Sequence, residues 1–229
     1  MRHPNIIRYI DSYLFNEELW LVMEYVEGFT LGAVVSIQAL EEEMIASISR
    51  ECLKALDFLH SNRVIHRDIK SDNILLGMDG SVKLIDFGLC AWLKPWETKR
   101  RSFIGTPFYM APEMLAGDKY DARVDIWALG ITALEMVDGP TRPKDVPPEL
   151  ETPRNLSPVF RSFLQSCLKR NAKRRWTAKK LLKHPFLKKS KSLDEMAPLI
   201  DAARRSTTQA PEPLLGPLFL DKRGKKSKQ

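Results

Sequence analysis

Residues Val124 to Val137 form an almost unbroken apolar run of helical length. A helix without a polar face cannot lie on a surface; other elements must surround it. This one segment therefore demands a helical domain, and the rest of the chain must supply its walls. Glu41 to Ser61 can be one wall, because Ile45, Ile48, Cys52, Leu56 and Leu59 fall on one helical stripe. Phe160 to Leu168 and Thr177 to Phe186 read as further amphipathic helices, the second with Thr177 as its N-cap. Between the central run and these helices, Pro140 to Pro158 holds six prolines and cannot carry a long helix.

Strand patterns are confined to the first part of the chain. Ile6 to Phe15 and Leu19 to Tyr25 are rich in Ile, Leu, Val, Tyr and Trp, with Asn16-Glu17-Glu18 between them, which predicts a hairpin. Two strands alone are marginal in water, so this hairpin needs more sheet or a helical partner. Ile74-Leu75-Leu76 and Val82-Lys83-Leu84-Ile85 can pair across the Gly-containing turn 77–80, and Val64-Ile65 is a further short apolar run. The expected class is α+β.

With 229 residues the chain can bury one good core and a small second one. Its 44% hydrophobic and 28% charged residues read as globular and soluble. The net charge of +7 suggests nucleic acid until its position is considered. Much of it lies between Lys169 and Lys191, with Trp176 and Phe186 as its only aromatics, and in the tail Asp221 to Lys228, which has none; neither reads as a stacking platform. These read as a solvated helix face and a disordered tail, so no nucleic-acid partner is expected. Cys52, Cys90 and Cys167 are odd in number and far apart, which implies neither a disulfide framework nor a zinc site and fits a reducing compartment. Met1 to Asn5 has no apolar signal-peptide core, and no apolar run is long enough to span a membrane. A cytoplasmic location is the expectation.

The chemistry is concentrated in His66-Arg67-Asp68-Ile69-Lys70-Ser71-Asp72-Asn73 and Asp86-Phe87-Gly88. Phosphoryl transfer needs an in-line hydroxyl, metal ions across the phosphates and compensation of spreading negative charge. Asp68 can accept the proton of the hydroxyl, and Lys70 can offset the charge of the transferred group. Asn73 offers a neutral oxygen to a magnesium ion and Asp86 an anionic one. Gly88 lets the backbone turn sharply after Phe87. His66, at the end of an apolar run, reads as a structural histidine. Any one of these residues alone is more often a cap, a turn or a buried polar group; the ordered set is what carries the reading. Glu113 and Arg175 could form a partly buried bidentate pair.

These motifs, with Gly105-Thr106-Pro107-Phe108-Tyr109-Met110-Ala111-Pro112-Glu113 and Asp125-Ile126-Trp127-Ala128-Leu129-Gly130, resemble the eukaryotic protein kinases across residues 3–187. Asp68-Ile69-Lys70 with Gly105-Thr106-Pro107 looks like the Ser/Thr branch. His60 to Leu84, Glu51 to Leu56, and Pro198-Leu199-Ile200 followed by an Ala-rich helix are similar to the PAK group of GTPase-activated kinases. The resemblance implies a protein kinase-like fold, mainly the helical C-lobe (26–187), with a two-stranded N-lobe remnant and hinge (1–25). A C-terminal helix (188–205) and a basic disordered tail (206–229) would follow. It implies ATP and Mg2+ as cofactors and protein Ser/Thr hydroxyls as substrates. Met23 would be the gatekeeper, Glu24, Tyr25 and Val26 the hinge, and Leu75 the floor under adenine. Thr106 would position Asp68, Ser102 would take an activating phosphate that Arg67 receives, and Asp125 would brace the backbone at His66-Arg67. Small GTPases would act through a region absent here.

The chain also departs from that pattern. No Gly-rich loop, no Val-Ala-Ile-Lys strand and no regulatory-helix Glu stand ahead of the hairpin, so these residues alone are expected to be weakly active or inactive. Phe87 would then lack its fixed partner and Asp86 would be poorly held. A Pro-rich connection replaces the longer family segment at 139–156. The competing reading is a catalytically dead kinase lobe that acts as a binding module or decoy for partners of a full-length kinase.

Overall fold

The computed structural model describes residues 2–139 and 156–207. The expectations for the Pro-rich connection and for tail residues 208–229 lie outside them. Helix α4 (Arg123–Asp138) occupies the centre, and from Val124 to Leu134 every residue is buried. It is apolar all round because it serves two cores. Ile126, Leu129, Ala133 and Leu134 join the main core. Val124, Trp127 and Ile131 join a second one with Ile65, Met110, Met114 and Tyr120.

Around α4 stand α2 (Glu42–Ser61), whose predicted stripe is wholly buried, and α5 (Pro158–Cys167). Ser157 caps α5 by accepting from the Phe160 N–H, and Pro158 fills its first turn, where no amide donor is needed. The α4–α5 crossing is close at Gly130, where a Cβ would come within 2.8 Å of Cys167 and Leu168 side-chain carbons. The expected helix 177–186 is interrupted. Helix α6 is a single turn (Ala178–Leu181), capped by Thr177, and a 3-10 segment covers Pro185–Lys189. Pro185 lacks the N–H that would have continued the helix. The short α1 (Leu31–Val35) and α3 (Pro112–Leu115) complete this part. Helix α7 (Ala197–Thr207) starts later than the expected 188 and carries helical structure past Arg205.

The hairpin forms from β1 (Tyr9–Phe15) and β2 (Glu18–Met23). Its turn is tighter than expected: Asn16 and Glu17 both have positive φ, 49° and 68°, and Glu18 already pairs with Phe15. That geometry matches the twist of the strands but is costly for Glu17. The hairpin has no further strand partner among the described residues, and Leu14, Phe15 and Trp20 are 76%, 64% and 57% exposed. Its base is tied down by an Ile6–Leu84 bridge and by Asn5, whose side-chain amide donates to Val82 O and to Glu51 Oε2. The three-stranded sheet β3 (Gly28–Thr30), β5 (Ile74–Gly77) and β6 (Val82–Leu84) carries the expected pairing across the turn 77–80. The two-residue strands β4 (Val64–Ile65) and β7 (Ala91–Trp92) pair with each other.

Candidate active site

The loop between β4 and β5 holds the predicted proton acceptor, Asp68, and its neighbours. Asp68 is 6% exposed, and both carboxylate oxygens are engaged. Oδ1 accepts from Thr106 Oγ1 at 2.7 Å and from the Thr106 N–H at 3.1 Å. Oδ2 accepts from Asn73 Nδ2 at 3.0 Å and faces Lys70 Nζ at 3.3 Å. Lys70 Nζ also donates to Thr106 Oγ1 at 3.0 Å, so these four side chains form one closed network. Asn73 donates in addition to the Asp68 carbonyl oxygen at 2.8 Å, which locks the loop. Thr106 reaches Asp68 because Gly105 (φ 126°) lies against the Arg67 carbonyl; a Cβ there would sit 2.6 Å from that oxygen.

A second layer holds this loop on α4. Asp125 is fully buried and accepts from the His66 N–H and the Arg67 N–H, both at 2.9 Å. His60 Nε2, at the end of α2, lies 2.8 Å from Asp125 Oδ2. Burial alone would raise the Asp125 carboxyl. The His60 hydrogen bond and the Arg67 amide help to outweigh it, and the group is held below its ordinary range. His66 is fully buried; Nδ1 accepts the Asp68 N–H at 3.3 Å, so Nε2 carries the proton toward Ile85 O at 3.1 Å. Burial, against the pull of Asp125, lowers its pKa and keeps the ring neutral. Arg67 has φ 72° and sends its guanidinium to the backbone after the Asp-Phe-Gly motif, donating to Leu89 O at 2.6 Å and Cys90 O at 3.2 Å. It also reaches Tyr120 Oη at 3.4 Å, and Tyr120 donates to Ser102 O at 3.0 Å. Ser102 itself is exposed.

Two details of the Asp-Phe-Gly segment differ from expectation. The sharp turn is made at Asp86, with φ 58°, and not at Gly88. Gly88 instead donates its N–H to Asp86 Oδ1 at 3.1 Å, and its small size leaves room for that carboxylate. Phe87 is not without a partner: its ring meets His66 edge-on at 4.9 Å and packs on the main core. Asp86 is exposed.

The residues expected to form the hinge follow β2. Met23 is 41% and Tyr25 83% exposed. The Glu24 carboxylate pairs with Lys83 Nζ at 2.9 Å and accepts the Arg8 N–H at 2.8 Å. Val26 is half-buried beside Gly77, and Leu75 is half-buried in β5, opposite Thr30. Farther away, Arg175 (2% exposed) grips Glu113 with both terminal nitrogens, at 2.7 and 3.0 Å, and donates to Arg123 O and Lys169 O. Its guanidinium also lies 5.1 Å from the Trp127 ring centre.

Three participants were missed by sequence reasoning: His60, Tyr120 and Glu135. Glu135 accepts from Ser71 Oγ at 2.7 Å and Tyr109 Oη at 2.8 Å. No local pattern marks them, since each acts on a group far away in the chain.

Residues 1–187 match the protein kinase domain family. Over 219 residues the chain is 51% identical to serine/threonine-protein kinase PAK 1 of Mus musculus, covering 90% of this chain and 40% of that protein. It is 47% identical to serine/threonine-protein kinase pak-1 of Caenorhabditis elegans, covering 91% of this chain and 39% of that one. With pakA of Talaromyces marneffei it shares 46% identity, over 91% of this chain and 34% of the relative. The chain thus spans well under half the length of the curated relatives it matches. Matched family, ordered motifs and folded network agree: the chain belongs to the protein kinase domain family, in its PAK group.

Proposed function

We propose that these residues perform the transfer step of a Ser/Thr protein kinase, moving the γ-phosphate of ATP to a protein Ser or Thr hydroxyl. The observation that carries this reading is the convergence of Lys70, Asn73 and Thr106 on the Asp68 carboxylate. Asp68 accepts the proton of the incoming hydroxyl. Its four contacts fill its acceptor sites, so one must yield, and the longest, from Lys70 at 3.3 Å, is the one that does. Lys70 then turns its charge to the transferred group, while Thr106 keeps Asp68 aimed.

Asn73 and the exposed Asp86 carboxylate suit magnesium, a hard cation that takes few protein oxygens and keeps the rest of its shell for water and phosphate. Among the described residues no group of three His, Cys, Asp or Glu could cage a metal instead. Bound there, magnesium supplies charge neutralisation along the phosphates. Met23, Glu24, Tyr25 and Val26 would line one side of the adenine site and Leu75 its floor. Phosphorylated Ser102 would be drawn to Arg67, to whose neighbour Tyr120 its backbone is already bonded. Regulation by small GTPases would act outside these residues, in the cytoplasm. The binding-module alternative is not favoured by relatives that are all named as kinases.

Label transfer from γ-labelled Mg-ATP to a basic Ser peptide tests the proposal. The chain, lacking a Gly-rich loop and a strand lysine, should transfer slowly. Asp68→Asn should lower that rate by roughly 100-fold or more. Transfer equal to the Asp68→Asn control, from a chain folded by circular dichroism, overturns it.

A further inference from the structure

Between Leu156 and Leu193 the chain has 12 Lys and Arg and no Asp or Glu. The whole chain carries only +7, so acidic residues outnumber basic ones everywhere else taken together. Folding does not disperse this run. Ala178, Leu181, Phe186 and Leu187 are buried, and α6 and the 185–189 turn pack on α2. The lysines between these apolar residues are therefore left on the outer side: Lys179, Lys180, Lys183, Lys188, Lys189 and Lys191 are all exposed. Lys189 pairs with Glu42 at 3.7 Å, and Lys180 lies over the Trp176 ring at 3.8 Å. No carboxylate of the described residues lies within ion-pair distance of Lys179, Lys183, Lys188 or Lys191.

This face is separate from the network around Asp68. Lys189 and Ser190 sit at the first half of α2, beside Glu42 and Arg50, whereas His60 at its far end reaches Asp125. A helix rises about 1.5 Å per residue, so the two ends of α2 are roughly 27 Å apart.

We propose that this lysine face docks the protein on an anionic lipid surface. Six exposed charges between 179 and 191, all Lys and none Arg, suit a diffuse layer of negative headgroups. Fork-shaped Arg, which recognises individual carboxylates and phosphates bidentately, is missing from that stretch. The run also offers no aromatic platform for bases, because its Trp176 is covered by Lys180. The absence of any acid within the run removes the repulsion that a mixed surface would meet.

The experiment is co-sedimentation of the full chain with phosphatidylcholine vesicles, with and without about 30% phosphatidylserine, at about 0.1 M salt. Binding is expected only with phosphatidylserine, and it should be lost near 0.5 M salt. A variant with Lys179→Gln, Lys183→Gln, Lys188→Gln and Lys191→Gln should bind roughly tenfold or more weakly while melting like the parent. A matched variant with Lys222→Gln, Lys225→Gln, Lys226→Gln and Lys228→Gln removes the same charge from the tail and should bind within about threefold of the parent. Equal losses in the two variants, or a loss confined to the tail variant, overturn the proposal. So does binding to an acidic polypeptide or to nucleic acid without binding to the vesicles.

Discussion

Arg175 and His66 show how a single buried polar group constrains this molecule. The Arg175 guanidinium has no exposed side-chain surface, and Glu113 is its only carboxylate partner among the described residues. Removing one side of such a pair leaves an uncompensated buried charge. Glu113→Ala should therefore cost about 3–5 kcal/mol in chemical denaturation, far more than a surface pair would. For His66, burial depresses the pKa below its ordinary 6.5. The unfolded chain then binds the proton more readily than the folded one. The contribution to stability is complete above about pH 6.5 and is lost as the pH drops toward the folded value. His3 and His184 are shifted the same way, also chiefly by burial. Denaturation midpoints should decline from pH 7 to pH 5, and His66→Gln should flatten that slope without abolishing it. One site contributes at most about 1.4 kcal/mol per pH unit.

At the scale of elements, α4 is the helix that stands between the two cores. Its two apolar sides join two cores, and its buried polar residues, Asp125 and Thr132, each have a partner. Asp125 holds the backbone at His66 and Arg67, and Glu135 links Ser71 to Tyr109. Burial, then the neighbouring Glu135 charge, pushes the Tyr109 hydroxyl up, so it remains a donor. The crossing with α5 depends on Gly130 having no side chain. Gly130→Ala improves helix propensity by nearly 1 kcal/mol, yet it forces a methyl into carbons at 2.8 Å. Overpacking typically costs about 1–3 kcal/mol, so a net loss is expected in thermal unfolding. A gain would mean that α5 slides freely on α4.

Across the whole molecule, stability is unevenly distributed. The helical part is closed around its cores, while β1 and β2 present apolar side chains on both faces. Such a surface favours association. Light scattering of the 229-residue chain should show a concentration-dependent increase in mass, which Leu14→Lys with Trp20→Lys should reduce. Hydrogen exchange should be fast in the hairpin and slowest in α4, because local opening of the hairpin exposes little further apolar surface.

Much of this was legible in the residues. The apolar run 124–137 could only be a buried helix, and the stripe through Ile45 to Leu59 had one side to bury; both follow from side-chain periodicity. The motif around Asp68 likewise pointed to the family, because charge, spacing and order are properties of the chain. The hairpin was readable, though not that its turn would close on Asn16 and Glu17 alone. Other features required the folded molecule. That Phe87 rests on His66, that the left-handed turn falls at Asp86, and that His60, Tyr120 and Glu135 serve the site all depend on groups distant in sequence. Periodicity and local propensity report which side of an element is buried. Only the packing of elements against one another decides which buried polar group meets which partner, and whether a run of lysines ends up paired with carboxylates or left exposed.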